Sequence, residues 1–236
     1  MSMPPNKASQ KNAIPYAEPA FSALELSAIT WLDGFYQLEH LLAARAWAIR
    51  LSGSASPELK FAALVHDAER FFPGGPSSMP SDGFDNPDYL FVHSMRSADI
   101  VSEWLKKQTP ACDVAFTQRV RALILRHEIG GNQEEDILQA ADSLSFLETF
   151  DWLVVEWVHK GVYTFDQARA KLDWMVERIR IPDAVRAALP FYSRAVHRLE
   201  DAKDTEIDLK ERRKFASSAK SLVGDVVEMS KGNEAQ

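Results

Sequence analysis

The sequence predicts an all-α fold: one helical domain over residues 21–200, a flexible leader over 1–20 and a charged helical tail over 201–236. Apolar residues recur at helical spacing along most of the chain. Helix-start signals stand ahead of several of these stretches: Ser56 before Pro57, Asn86 before Pro87, and Thr164 three residues before Gln167. There is no internal repeat and no credible pair of strands.

The leader is assigned from Pro4, Pro5, Pro15 and Pro19 among polar residues, a composition that does not order itself. Helical spacing then defines one helix over about 22–32 and a second over about 34–52, stopped near Gly53. Ser56 and Pro57 open a third helix, which carries the stretch "FAALVHDAERFF" at 61–72. "FPGGPSSMPSDGFDNP" holds four prolines and three glycines, too irregular for an element and of a length that functional loops favour. Asn86 and Pro87 begin a helix to about Gln108, and another covers about 111–128, ending at Gly130 or Gly131. A long helix is expected over about 133–160, closed by Gly161, and Thr164 with Gln167 caps the next. Helices continue past Pro182, with a kink or break at Pro190. From about 201 the chain reads "EDAKDTEIDLKERRK", a solvated or partner-bound helix with a frayed tip.

With 236 residues, 46% of them hydrophobic, the chain suffices for one substantial core and not for two. A formal net charge of −7 argues against a nucleic-acid coat or a polybasic membrane patch, yet a few local cations are enough for a small phosphate ligand. Cys112 is the only cysteine, which excludes an intrachain disulfide and thiolate metal clusters. The start lacks an apolar signal region, and runs such as "WLVV" are too short to span a bilayer. The expectation is a cytoplasmic protein with no membrane or nucleic-acid polymer among its partners and with oligomerisation left open.

His66 and Asp67 lie side by side inside an apolar run, and hiding both is costly unless something binds them. An HD dipeptide alone is a weak signal. The series around it is stronger: His40 in "YQLEHLLAARAWAIR", His93 in "DYLFVHSMRSADIV", His127 in "RALILRHEIGG" and Asp142 in "ILQAADSLSFLE". Each falls on a predicted helix beside apolar or small residues, where a polar group needs a partner. Imidazole nitrogen and carboxylate oxygen without sulfur suit a divalent transition metal, Fe or Mn foremost, with Ni, Co and Zn as alternatives.

The order H…HD…H…H…D over about residues 30–150 resembles the HD superfamily of metal-dependent phosphohydrolases, an all-helical family. The resemblance implies an HD-type helical bundle in which His40, His66, Asp67 and Asp142 ligate one ion. It further implies that His93 and His127 serve a second ion, with Asp67 bridging the two. Arg70 occupies a place where related members, bacterial diadenosine tetraphosphatases among them, carry a basic residue for substrate phosphate. The last gap, from His127 to Asp142, is shorter than in those enzymes, so the substrate need not be theirs. The double histidine and GYP signature of cyclic-di-GMP phosphodiesterases is absent from the sequence. The implied activity is hydrolysis of a nucleotide or other small phosphorylated metabolite by a metal-activated water, with Asp67 and Arg70 as catalytic residues. A divalent ion lowers the pKa of bound water and polarises a phosphoryl oxygen, and Arg70 offers planar donors matched to phosphate. Glu69 and Glu128 are placed to orient imidazoles. The turn at Gly130, Gly131 and Asn132 offers a close approach of substrate to backbone.

Plainer readings stand beside these. A lone His66 is more often a satisfied core histidine, His93 and His127 suit substrate phosphate as well as a metal, and Arg70 suits a structural ion pair. His159 sits where the helix dipole alone favours a histidine, and His197 belongs to the surface. The aromatic residues of "FLETFDWLVVEWV" fit a core, and "KERRK" at 210–214 fits a solvated face. Two further functions share the scaffold: a mixed-valent di-iron oxygenase with the same ligand order, and a non-catalytic ligand-sensing domain. Dependence on iron and dioxygen marks the oxygenase, and absence of any turnover marks the sensor.

Overall fold

The computed structural model describes residue 16, residues 20–76 and residues 83–203. The leader and the charged tail fall almost wholly outside the described residues, as does 77–82 of the proline-rich segment. Among the described residues the fold is all-helical: α1 (Ala23–Trp31), α2 (Leu38–Ser52), α3 (Pro57–Val65), a short 3-10 turn (Ala68–Phe71), α4 (Pro87–Lys106), α5 (Val114–Arg126), α6 (Gln133–Thr149), α7 (Asp151–His159), α8 (Phe165–Glu177) and α9 (Pro182–Lys203). None of these helices is long and apolar enough to cross a membrane.

Side-chain caps fix the helix starts where the sequence signals them. Ser56 Oγ accepts from the Leu59 N–H at 3.0 Å with Pro57 in the first turn, and Asn86 caps α4 with Pro87 behind it. Reciprocal capping boxes open α1 (Ser22 and Glu25), α6 (Asn132 and Glu135) and α8 (Thr164 and Gln167). The core is organised around α2 packed along α6. Small residues line both: Ala43, Ala44 and Ala48 on α2, and Ala140, Ala141, Ser143 and Ser145 on α6, all fully buried. Small side chains let the two backbones approach closely. α5 packs on both α3 and α4, and α7 and α8 pack on α9, which also lies on α6.

The structure redraws four boundaries. The second helix begins at Leu38 because a run of turns, with Gly34 at φ 82°, precedes it. The fourth-from-last helix does not run over 133–160; it breaks at Phe150 (φ −112°, ψ 15°) into α6 and α7. No glycine or proline marks that break. Tertiary contacts hold it: the buried Phe150 ring stacks on His40 at 4.9 Å, and Asp151 binds Arg194 and Arg198 of α9 at 2.8 Å each. Pro190 stays inside α9 at an exposed position, where water can satisfy the carbonyl that loses its donor. Finally, α3 stops at Val65, so His66 and Asp67 occupy the junction between a helix and a 3-10 turn rather than a helix interior.

A buried ion pair ties α1 to α2. Arg45 is fully buried, with Nε 2.5 Å from Glu25 Oε1, Nη2 donating to the Ala20 carbonyl at 3.2 Å, and its guanidinium over the Phe21 ring at 4.2 Å. Glu25 also accepts from the Ser22 N–H at 2.7 Å. Burial alone raises the Glu25 carboxyl, but the Arg45 and Ser22 hydrogen bonds outweigh it and hold the group below its ordinary range.

Candidate metal centre

Five separate elements deliver the six nitrogen- and oxygen-bearing side chains to one place. His40 comes from α2, His66 and Asp67 from the junction after α3, His93 from α4, His127 from the end of α5 and Asp142 from α6. All six are buried. His40 Nε2 and His66 Nε2 each lie 3.3 Å from Asp142 Oδ1. Asp67 Oδ1 lies 2.8 Å from His93 Nε2 and 3.7 Å from His127 Nε2. Three overlapping groups have donor atoms close enough to hold a metal ion: His40, His66 and Asp142; His66, Asp67 and His127; His93, His127 and Glu128.

The surroundings settle which imidazole nitrogen faces inward. His66 Nδ1 lies 3.0 Å from the Ala63 carbonyl, and His127 Nδ1 lies 2.7 Å from the Ile124 carbonyl. A carbonyl only accepts, so both Nδ1 atoms carry a proton, and in the neutral ring that a metal takes the Nε2 lone pair points into the cluster. His93 Nδ1 donates to Glu69 Oε1 at 2.7 Å, with the same consequence. Nε2 of His93 and of His127 is buried without a hydrogen-bond partner among the described residues, which suits a metal ligand and is costly otherwise. Nδ1 of His40 also lacks a partner, so nothing comparable fixes that ring's tautomer.

Opposed charges shape the electrostatics. Burial works against a charged His66, yet its hydrogen bond to Asp142 and the Asp67 charge push it up to about 9. Burial likewise opposes ionisation of Asp67, but Arg70, His93 and His66 together hold its carboxyl well below the usual range. Asp142 is lowered in the same sense, against burial, by Arg178 first and then by His40 and His66.

The structure answers what Glu69 and Glu128 do, and differently for each. Glu69 stands behind His93, where its Oε1 orients the ring and raises its basicity; Oε2 lies 3.3 Å from Arg96 Nε. Glu128 turns one oxygen into the donor cluster, with Oε1 3.6 Å from His127 Nε2 and 3.7 Å from His93 Nε2. Glu69→Gln keeps an acceptor for His93 but removes the charge, so metal affinity is expected to fall by about 10- to 100-fold. Competition with a chromophoric chelator checks this, and unchanged affinity would show that Glu69 is only a packing partner.

Arg70 pairs with Asp67 (Nε to Oδ2, 3.1 Å) and donates to the Tyr89 hydroxyl at 2.9 Å. It makes the structural ion pair of the plainer reading, and it also lines a cavity of about 110 Å³ that opens onto His40, Asp67 and Asp142. The glycine turn behaves otherwise. Gly130 has φ 68°, and the space of its missing side chain is taken by Asp136; Glu135 takes that of Gly131. The turn accommodates the chain's own carboxylates, with the Gly131 N–H donating to Asp136 at 2.9 Å. His159 ends α7 and His197 is exposed, both away from the cluster.

Sequence reasoning missed Arg178 and Lys171. Arg178 binds Glu128 and Asp142 with its two terminal nitrogens and Ser143 Oγ with Nε at 2.8 Å, so one guanidinium ties two carboxylates of the cluster together. Lys171, Trp174, Met175 and Arg178 stand at i, i+3, i+4 and i+7 along α8 and its end, and the cavity is walled by Lys171, Met175 and Arg178. Two cations on an apolar stripe were the available signal. The aromatic run also divides: Phe146, Phe150 and Trp157 face the cavity and Trp152 is exposed.

The donors are nitrogen and oxygen only, they converge, and two imidazole lone pairs have no other use, so the buried cluster fits a divalent ion. Compared with family models, curated proteins and solved structures, the chain matches none of them, and the identification stops at an all-helical protein with buried histidine and carboxylate groups able to hold metal.

Proposed function

We propose that this protein is a metal-dependent phosphohydrolase acting on a nucleotide or another small phosphorylated metabolite. The observation that carries the reading is the double engagement of Asp67. Its Oδ1 faces His93 and His127 while its Oδ2 is held by Arg70, which lines the cavity. A metal-ligating carboxylate and a phosphate-matching guanidinium thus meet at one point on the cavity wall.

His40, His66, Asp67 and Asp142 would hold one ion, and His93, His127, Asp67 and Glu128 a second. Bound there, a divalent ion supplies a water of lowered pKa and charge stabilisation at the phosphoryl oxygens. The chain's own groups do the rest. Arg70 presents donors to the substrate phosphate while its bonds to Asp67 and Tyr89 fix its plane. Arg178 keeps Glu128 and Asp142 ionised and in place, because its charge lowers both carboxyls against their burial. Phe146, Phe150, Trp157 and Tyr163 line the cavity, reduce its water and strengthen the charge interactions within it.

The test is phosphate release from a panel of nucleotides and phosphorylated metabolites, under anaerobic conditions with Mn or Co supplied. Turnover without dioxygen supports the hydrolase. Activity that appears only with iron and dioxygen would replace it with the oxygenase. On a substrate so found, Arg70→Ala is expected to raise KM by about tenfold or more, the worth of a charge-assisted hydrogen bond. Unchanged kinetics would leave Arg70 a partner of Asp67 alone.

A further inference from the structure

Arg70, Arg178 and Lys171 are the cations that line the cavity, and they are not equivalent. Arg70 is matched by Asp67, and Arg178 by Glu128 and Asp142. Among the described residues no carboxylate lies within ion-pair distance of Lys171 Nζ. Its contacts are aromatic: the amine sits 4.2 Å from the Trp174 ring centre, 5.1 Å from Phe84 and 5.4 Å from Phe146. Ring faces attract a cation but replace only part of the hydration that burial removes. Burial first, and the Arg178 charge second, lower the ammonium to about 7. Glu128 and Asp142 act on it only from beyond ion-pair distance, so a cation held at the cavity wall without a contacting carboxylate is placed to take an anion from a ligand.

We propose that Lys171 recognises a second anionic group of the substrate, apart from the phosphoryl group at the metal centre. This rests on the phosphohydrolase reading of the cluster and narrows its substrate class: a phosphorylated compound carrying a further phosphate or a carboxylate. Phe84, Trp157 and Tyr163 line the same cavity, so an apolar or flat linker between the two groups fits it. Lys171 belongs to α8, outside the stretch that carries the histidine and aspartate series, so specificity and chemistry come from different parts of the chain.

Ligand binding to the metal-loaded full chain tests this without turnover. The probes are propylene to hexylene diphosphonates, the ω-phosphonocarboxylates of the same lengths, and simple alkylphosphonates as one-anion controls. At one linker length the wild type is expected to bind a two-anion probe at least about tenfold tighter than its one-anion control, as one charge-assisted contact implies. A preference for the diphosphonate names a phosphate as the second group, and a preference for the phosphonocarboxylate names a carboxylate. Lys171→Met should abolish the preference while leaving metal content and alkylphosphonate binding within about twofold; Lys171→Arg should retain most of it. The proposal is overturned if no linker length is preferred, or if Lys171→Met weakens both probe classes equally. A protein that shows the preference but hydrolyses nothing defeats the hydrolase reading alone. One that hydrolyses phosphate esters without the preference defeats this inference alone.

Discussion

Asp67→Ala is expected to strip metal from the purified protein and to reduce turnover by more than about 100-fold, the upper cost of losing a partner that merely orients a ligand. Asp67 does more than orient. Its Oδ1 faces both His93 Nε2 and His127 Nε2, at 2.8 and 3.7 Å, and its Oδ2 positions Arg70. Alanine leaves two imidazole lone pairs without the charge that makes a divalent ion welcome beside them. It also frees Arg70 to swing on its remaining bond to Tyr89. The fold should persist, since Asp67 ends no helix by its side chain and the packing of α3 is apolar. Elemental analysis with a circular-dichroism control reads both halves of the expectation. Full metal content in a folded variant would remove Asp67 from the ligand set.

Arg45→Met is expected to destabilise the protein by about 3–5 kcal/mol, because it leaves the Glu25 charge buried and unmatched. The methionine fills much of the space of the arginine stem, so the loss reports charge rather than a cavity. Glu25 accepts from Arg45 and from Ser22, so the variant loosens the α1 cap as well as the α1–α2 contact. The double variant with Glu25→Gln should recover part of the loss. The pH dependence has a defined sign: the folded-state carboxyl is lowered, so its contribution is present above the ordinary value of 4.5 and fades as pH falls through the folded pKa. Urea midpoints at constant slope measure the change. A loss under about 1 kcal/mol would mean that Glu25 reaches water or is neutralised without its partner.

Much of this molecule is legible in its sequence because it is written in local signals. Caps at Ser56, Asn86 and Thr164 announce helices, and the series His40, His66, Asp67, His93, His127 and Asp142 announces side chains that the fold gathers into buried groups able to hold a metal. What escapes notice depends on contacts across the chain. The break at Phe150 is held by His40 and α9, neither of which local periodicity samples. Arg45 reads as one polar position in an apolar helix until Glu25 is brought against it. Arg178 lies 36 residues from Asp142, and only the packing of α8 on α6 makes it part of the cluster. Glu128 was legible as a neighbour of His127, but the direction of its carboxylate required the backbone turn that ends α5.

Metal content of wild type, His93→Ala and His127→Ala, measured on protein purified and reloaded under identical conditions, tests the central claim most directly. The donors divide into a group around Asp142 and a group around His93 and His127, joined through Asp67. The account therefore predicts about two ions per wild-type chain and about one in each variant, with activity lost in both. A full complement in both variants would contradict the paired centre, and a wild type that binds no divalent ion would contradict the account as a whole.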